Sequence, residues 1–273
     1  MIAPVVDAAW LSEHRDEVVV ADVRWYLDGR SGRAAYDGGH VPGAVFVDLD
    51  EWLAAHGAPD AGRHPLPEPE HFARGMAHLG IGDDDVVVAY DDAGGVMAAR
   101  LVWMLRATGH AAALLDGGLG VWPGPLETDA PSRPEARFAP VPWPAERLAS
   151  IDDAADRRNV VLDARQRERY RGDEEPIDPR AGHIPGARSL PARENLGADG
   201  RFLPVEQLRD RLTAAGAVQG ARVVSYCGSG VTACHTLLAM EHAGLGAGRL
   251  FPGSWSQWSS DPARPAATGD DAA

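Results

Sequence analysis

The residues of this chain best suited to chemistry lie in the segment 225–232, Ser-Tyr-Cys-Gly-Ser-Gly-Val-Thr, where one thiol follows an apolar run. The pattern predicts a buried strand over 223–226 and a helix over 231–241. Cys227 then lies between a strand end and a helix N-terminus, where unpaired N–H groups and the helix dipole stabilise a thiolate. A free Cys is more often a small buried apolar residue. The flanking Gly-Ser-Gly adds nothing to a core, however, and favours a nucleophile.

Composition excludes several classes of protein. With 273 residues, of which 45% are hydrophobic, the chain is long enough for two domains. Its net charge of −14 means that it lacks the basic surface that nucleic acids or anionic membranes need. With no basic leader and no apolar window long enough for a membrane span, we expect a cytoplasmic protein. The only cysteines, Cys227 and Cys234, give neither a disulfide framework nor a metal site. Cys234 is interpreted as a packed helix residue, with a resolving role after oxidation left open, and no cofactor is expected.

The two halves of the chain repeat one pattern. Four blocks match in the same order: 19–24 with 160–165, 39–44 with 182–187, 86–91 with 222–227, and 116–122 with 252–258. Such a register predicts two homologous domains. In each, apolar runs alternate with amphipathic stretches, which is typical of an α/β domain with a mainly parallel sheet flanked by helices. Ligands of such sheets bind beyond the carboxyl ends of the strands, where Cys227 falls.

The predicted domain boundaries follow from this repeat. Residues 1–125 form a first domain without a nucleophile, 126–146 a proline-rich linker that packs along the domain surfaces, and 147–260 the catalytic domain. Residues 261–273, which are mostly Pro, Ala, Gly and Asp, are expected to be a disordered tail. Asp22 and Asp163, each two residues before an Arg, are expected to form buried ion pairs. His40 and His183 lie in matching Gly-His-x-Pro-Gly turns and are interpreted as structural residues.

Over nearly its whole length the chain resembles the tandem-domain rhodanese sulfurtransferases. The resemblance rests on the Gly-His-Ile-Pro-Gly-Ala block, the Cys227 loop and the block Gly-Ser-Trp-Ser-Gln-Trp at 253–258. In that family the first domain commonly lacks the nucleophile, and here Asp91 takes the place of the thiol. The loop is similar to that of members that use 3-mercaptopyruvate, since members that prefer thiosulfate place basic side chains after the Cys, whereas Gly228 and Ser229 are neutral.

The resemblance implies a mechanism. Cys227 attacks the sulfur of the small-molecule donor 3-mercaptopyruvate, releases pyruvate as its enolate and keeps a persulfide. The N–H groups of the loop hold the sulfur anions; the residues implied are Gly228, Ser229, Gly230, Val231 and Thr232. The Ser229 and Thr232 hydroxyls are either donors to the substrate or ordinary helix caps.

Arginine suits the substrate carboxylate because its planar fork binds a carboxylate through two hydrogen bonds. By resemblance, Arg169 and Arg180 bind that carboxylate, with Arg171 as a substitute for Arg180. The alternative for all three is an ordinary surface arginine.

The same resemblance implies a proton relay formed by Ser229, His64 and Asp50. An imidazole oriented by a carboxylate can pass the thiol proton of the donor or protonate the departing enolate. The alternative is a polar loop His and an Asp at the start of a helix.

The sequence bears on three other functions. A related Cys-loop phosphatase would have an Arg six residues after the nucleophile, and that position is Ala233, which disfavours phosphate chemistry. A thiosulfate:cyanide sulfurtransferase and a sulfur carrier or binding module without turnover stay open. The expected acceptor is a thiol, such as thioredoxin or a small thiol, or cyanide, and the protein is expected to be a monomer with no nucleic-acid or membrane partner.

Overall fold

Runs of Val and Ala form the central strands in both halves of the chain. The structure, a computed structural model, describes residues 2–55 and 59–270. Its central strands are buried on both faces, as parallel strands covered by helices must be. Within the described ranges, no helix combines the length and the apolar composition that crossing a bilayer requires.

The first sheet has five parallel strands in the order β1-β5-β4-β2-β3. Its strands are β1 (Val5–Val6), β2 (Val18–Asp22), β3 (Val45–Phe46), β4 (Val86–Tyr90) and β5 (Ala112–Leu115). The helices of this half are α1 (Ala8–Glu13), α2 (Gly32–Asp37), α3 (Leu49–Trp52), α4 (Pro69–His78) and α5 (Ala99–Ala107), with short 3-10 helices at Arg15–Glu17, Pro59–Ala61 and Gly118–Val121.

The second sheet has four parallel strands in the order β7-β6-β8-β9. Its strands are β6 (Val160–Asp163), β7 (Arg188–Ser189), β8 (Val223–Tyr226) and β9 (Arg249–Leu250). The helices are α6 (Ile151–Ala155), α7 (Arg167–Arg171), α8 (Val205–Ala214), α9 (Thr232–His242) and α10 (Ser254–Ser260), with 3-10 helices at Ala145–Arg147 and Ala192–Asn195. The predicted fold class, two α/β domains with parallel sheets, is confirmed.

The described chain divides by its contacts into two compact units, and each unit combines more than one stretch of the sequence. The first unit comprises 2–55, 66–143 and 198–202, and the second comprises 59–65, 144–197 and 203–270. The segment 59–65 therefore belongs by its contacts to the second unit, although it lies in the first half of the sequence. Arg63 and His64 are in this segment. They therefore lie in the same unit as Cys227, although they come from the first half of the sequence.

Matching ion pairs lock the ends of the central strands. Arg24 binds Asp22 and also donates to the carbonyl of Gly39, while Arg165 binds Asp163 and donates to the carbonyl of Gly182 in the same way. The Nη2 to Oδ2 distance is 2.6 Å in both pairs, and all four side chains are buried. The predicted buried ion pairs are confirmed.

The two histidines of the Gly-His-x-Pro-Gly turns have matching surroundings. His40 Nδ1 is hydrogen-bonded to the carbonyl of Tyr36 and stacks on that ring, and His183 has the same relation to Tyr170. Both histidines are fully buried. Residues 2–55 and 59–270 contain no group of three or more His, Cys, Asp or Glu side chains placed to hold a metal. The interpretation of both histidines as structural turn residues is confirmed.

The proline-rich segment packs against the first unit as far as Trp143. The Phe138 ring stacks on His110 with centroids 4.3 Å apart and meets Phe72 edge-on. Trp143 donates from Nε1 to the carbonyl of Pro67 at 2.7 Å. These contacts and the antiparallel bridge between Glu127 and His40 hold an irregular segment in place.

The prediction of a disordered tail is wrong for residues 261–270. Arg180 donates to four backbone carbonyls there or just before, those of Trp258, Ser259, Asp261 and Arg264. Ala267 also forms a two-bond antiparallel bridge with His183. Composition predicts poor hydrophobic burial, but it cannot show that a distant guanidinium binds the main chain. The tail residues 271–273 lie outside the described residues.

We predict that Arg180→Met lowers the free energy of unfolding by about 2–4 kcal/mol, because several backbone carbonyls lose a charged donor at once. Urea unfolding followed by circular dichroism measures this change. Arg193→Met, at an exposed position, is the matched control and should change stability by less than about 0.5 kcal/mol. Equal stability of the two variants would show that Arg180 does not hold the tail.

Candidate functional site

Cys227 lies where the chain leaves the carboxyl end of β8. The strand occupies the predicted residues, and α9 begins at Thr232, one residue after the predicted start. The side chain is 2% exposed. The predicted position of the thiol, between a strand end and a helix N-terminus, is confirmed.

The first residues of α10 bind both the backbone N–H and the backbone carbonyl of Cys227. Its N–H donates to Oγ of Ser254 at 3.1 Å, and its carbonyl accepts from the N–H of Trp255 at 2.9 Å. Ser254 has φ of 53°, and no other non-glycine residue in the described ranges has a positive φ. This conformation costs about 1–3 kcal/mol and is typical of functional sites. The Gly-Ser-Trp block at 253–255 thus has a role that its sequence did not reveal, which is to hold the thiol in place.

The loop after Cys227 turns a donor toward the sulfur. The N–H of Gly230 donates to Sγ at 3.1 Å. Gly230 has φ of 79°, and a Cβ there would lie 2.5 Å from the carbonyl oxygen of Pro252, so only glycine fits. A donor fixed at this distance stabilises the anionic form of the sulfur.

Ser229 meets His64 beside this loop. Its Oγ lies 2.7 Å from Nδ1 of His64, and the N–H of Arg63 donates to Oγ of Ser256, which anchors the segment 59–65. The N-cap residue of α9 is Val231, so neither Ser229 nor Thr232 is its cap. Asp50 is in the first unit, on α3, and accepts from Nε1 of Trp25 at 2.8 Å. The Ser229 and His64 parts of the predicted relay are in contact, and the role of Asp50 stays a prediction.

The predicted arginines divide into two groups. Arg169 faces the Cys loop, because a Cβ placed on Gly228 would lie 3.4 Å from its Nη1. Arg171 pairs with Asp270 at the surface, and Arg180 binds the backbone carbonyls described above. Four of the five N–H groups of the Arg180 guanidinium are used in this way. Of these three arginines, we therefore keep only Arg169 as a candidate for binding the substrate.

Sequence reasoning missed three charged residues beside the Cys loop. Nη2 of Arg63 would lie 2.8 Å from a Cβ on Gly228, and its Nη1 binds the buried carboxylate of Asp178. Asp178 also accepts from Arg169, which in turn binds Glu175. Burial raises the pKa of Asp178, and the positive charge of Arg63 opposes this rise. The position of Arg63 directly before His64 was a usable signal, whereas the carboxylates looked like an ordinary polar loop.

Asp91 occupies the matching position in the first unit and is saturated with donors. Its Oδ1 accepts from the N–H groups of Ala93 and Gly95, and its Oδ2 accepts from those of Met97 and Ala98, at 2.7–2.9 Å. Burial raises the pKa of this carboxyl, and the four backbone donors oppose the rise. The loop that begins at Asp91 therefore binds an anion through its backbone N–H groups, and that anion is the carboxylate of Asp91 itself.

We predict that Asp91→Asn lowers the free energy of unfolding by about 2–4 kcal/mol. Each carboxylate oxygen accepts two N–H groups, so either orientation of the amide turns its NH2 toward two donors. Thermal and urea unfolding measure the loss. Asp84→Asn, at an exposed position, removes the same charge without losing a described hydrogen bond, and a similar result for both variants would contradict this role of the Asp91 carboxylate.

Comparison with known proteins agrees with this architecture. The Rhodanese-like domain model matches residues 7–124 and 145–261. A Pseudomonas aeruginosa protein named a probable 3-mercaptopyruvate sulfurtransferase is 44% identical over 96% of this chain and 96% of its own. A Mycobacterium tuberculosis protein provisionally named a thiosulfate sulfurtransferase is 42% identical over 98% and 97%.

Solved structures extend the likeness to the fold. The 3-mercaptopyruvate sulfurtransferase of Escherichia coli has a TM-score of 0.82 and 32% identity, over 93% of this chain and 99% of that one. The enzyme of the same name from Leishmania major has a TM-score of 0.85 and 30% identity, over 95% and 75%. The repeated sheets, the Cys loop and the matches over both halves have one conclusion: the chain belongs to the rhodanese family of sulfurtransferases, with two rhodanese-like domains in tandem.

Proposed function

We propose that this sulfurtransferase takes sulfur from 3-mercaptopyruvate, carries it as a persulfide on Cys227 and passes it to a thiol acceptor, with release of pyruvate. The contact between Ser229 and His64 beside the thiol supports this donor most strongly. Mercaptopyruvate brings a thiol proton that must be moved, whereas thiosulfate brings none. The similarity to relatives named for 3-mercaptopyruvate points the same way.

In the first half-reaction the Cys227 thiolate attacks the donor sulfur. An S–S bond forms and the C–S bond breaks, and its electron pair goes to C3 of the departing enolate. Ser229 and His64 take the proton from the donor thiol and return it to that carbon, so that pyruvate leaves and the persulfide stays anionic. The N–H of Gly230 and its neighbours in the loop hold the negative sulfur.

The donor carboxylate is bound beside Gly228. Nη1 of Arg169 and Nη2 of Arg63 face this position, and two guanidinium groups suit a planar anion. A carboxylate held there leaves the donor sulfur directed at Cys227. Arg63 replaces Arg180 in this role.

In the second half-reaction an acceptor thiolate attacks the outer sulfur of the persulfide. The S–S bond breaks, its electron pair returns to Sγ of Cys227, and the acceptor leaves with the transferred sulfur. A small thiol or a thioredoxin-like dithiol in the cytoplasm fits this step, and a monomer suffices for it.

Thiosulfate is the second candidate donor. The two arginines that face Gly228 favour it, since a compact dianion gains from concentrated positive charge. A neutral loop at Gly228 and Ser229 disfavours it. A carrier without turnover is the third possibility, and it would make the Ser229 contact with His64 unnecessary.

The test is steady-state sulfur transfer by the purified protein, with 3-mercaptopyruvate and thiosulfate in parallel and intact mass recorded. The addition of one sulfur, about 32 Da, identifies the persulfide intermediate. Faster turnover of 3-mercaptopyruvate supports the proposal. Preference for thiosulfate selects the second candidate, and a persulfide with no turnover selects the carrier.

We predict that Cys227→Ser lowers transfer to less than about 0.1% of wild type with either donor, because an alcohol does not form a persulfide. Circular dichroism and thermal unfolding serve as the fold control. Cys234→Ser is the matched variant, because Cys234 is buried on α9 and its Sγ binds the carbonyl of Gly230. It should keep persulfide formation, and loss of the mass increase in this variant alone would contradict the assignment of the nucleophile.

We predict that Ser229→Ala lowers kcat/KM for 3-mercaptopyruvate about tenfold or more, and lowers that for thiosulfate much less. The reason is that only 3-mercaptopyruvate needs a proton moved during sulfur transfer. Parallel kinetics with both donors measure the difference, and Ser12→Ala, at an exposed position, is the control. Equal losses with both donors would assign Ser229 to the binding of the sulfur anions and not to the relay.

A further inference from the structure

We infer that Asp178 determines donor specificity by limiting the positive charge that faces the Cys loop. This inference rests on the proposed function and names the residue that decides between its two candidate sulfur donors, 3-mercaptopyruvate and thiosulfate. Asp178 is placed by its contacts with Arg63 and Arg169, so its effect on a donor is electrostatic and passes through these two arginines.

The geometry places Asp178 between the two guanidinium groups. Its Oδ1 binds Nη1 of Arg63, and its Oδ2 accepts from Nη2 of Arg169 at 2.9 Å. The side chain is 2% exposed. Each arginine thus uses one edge on this carboxylate and turns another nitrogen toward Gly228. The carboxylate fixes the orientation of both cations and offsets their charge.

A wider network of ion pairs makes the charge balance explicit. Arg169 also binds Glu175, Glu175 binds Arg165, and Arg165 binds Asp163. Together with Arg63 and Asp178, this network has three guanidinium groups and three carboxylates. Its formal charge is zero, and buried pairs of this kind are weakly screened by salt. The arginines therefore offer directed N–H groups with little excess positive charge.

The first loop position after Cys227 is Gly228, which has no side-chain charge of its own. A Cβ on Gly228 would lie 2.8 Å from Nη2 of Arg63, so the guanidinium of Arg63 occupies the space beside this glycine. In this chain the cationic charge that faces Gly228 comes from Arg63 and Arg169, and Asp178 sets how much of it is uncompensated.

The two donors differ in the charge that this site meets. Mercaptopyruvate has one carboxylate, and its binding depends more on well-oriented N–H groups than on the net charge of the site. Thiosulfate is a compact dianion, and its second negative charge gains from any uncompensated positive charge nearby. Neutralising Asp178 adds one positive charge to the network. The kcat/KM for thiosulfate should therefore rise about tenfold more than that for mercaptopyruvate. A tenfold effect is what one added positive charge produces on one extra negative charge about 6–10 Å away, at an effective dielectric constant above 20.

The experiment compares Asp178→Asn with wild type in kcat/KM for both donors. We expect the ratio of thiosulfate to 3-mercaptopyruvate to rise about tenfold, and the opposite change, Arg63→Gln, to lower it. The double variant R63Q/D178N should return close to the wild-type ratio. Glu174→Gln, which removes an exposed carboxylate from the same loop, is the control and should leave the ratio unchanged.

The outcomes separate this inference from the proposed function. If wild type forms no persulfide with either donor, the proposed function fails. If wild type turns over 3-mercaptopyruvate and the ratio in Asp178→Asn stays within twofold of wild type, the inference is overturned. A loss of structure in Asp178→Asn would lower both rates together, and in that case Arg63→Gln decides, since a ratio that does not fall also overturns the inference.

Discussion

The site depends on how the peptide of Cys227 is held. Its N–H and carbonyl bind the first residues of α10. The N–H groups of the following loop are left to face the sulfur, as that of Gly230 does. That arrangement requires Ser254 to keep a positive φ at a cost in backbone energy. The hydrogen bonds of Ser254 to Cys227 and Phe251 offset this cost. The orientation of the thiol is therefore set by residues about 27 positions later in the chain.

The loops that follow β4 and β8 have different roles in the two units. In the first, a carboxylate takes four N–H groups and the loop is complete without a ligand. In the second, the sulfur of Cys227 accepts from Gly230, and arginines lie beside the loop. The residue at the strand end, Asp91 in the first unit and Cys227 in the second, thus marks a structural loop and a reactive one. The matching ion pairs of Asp22 and Asp163 show that the rest of the framework was retained.

Much of this arrangement was predictable from the sequence because it is local. The strand and helix around Cys227, the parallel sheets, the repeat and the ion pairs two residues apart all follow from short patterns. His64 and Ser229 were predicted through the resemblance, and the structure places them 2.7 Å apart. The assignment of the segment 59–65 to the second unit was not predictable, since its contacts are with elements that lie far later in the chain.

The arginines show where sequence reasoning fails. Arg180 was predicted to bind substrate, but its partners are backbone carbonyls about 80 residues away, and a carbonyl has no sequence signature. Arg63 was overlooked because its partner Asp178 lies 115 residues away in a loop rich in carboxylates. Charge pairs over such separations depend on the fold and not on the neighbouring residues.

The membership of the segment 59–65 in the second unit has a consequence for the history of the chain. A fragment that begins at the proline-rich linker would keep the thiol but lose the imidazole and one of the arginines beside it. Neither half of the sequence therefore holds the whole group of side chains: the first half has no thiol, and the second lacks the residues of 59–65. Duplication of this kind is hard to reverse, since a gene that kept either half alone would encode an incomplete enzyme.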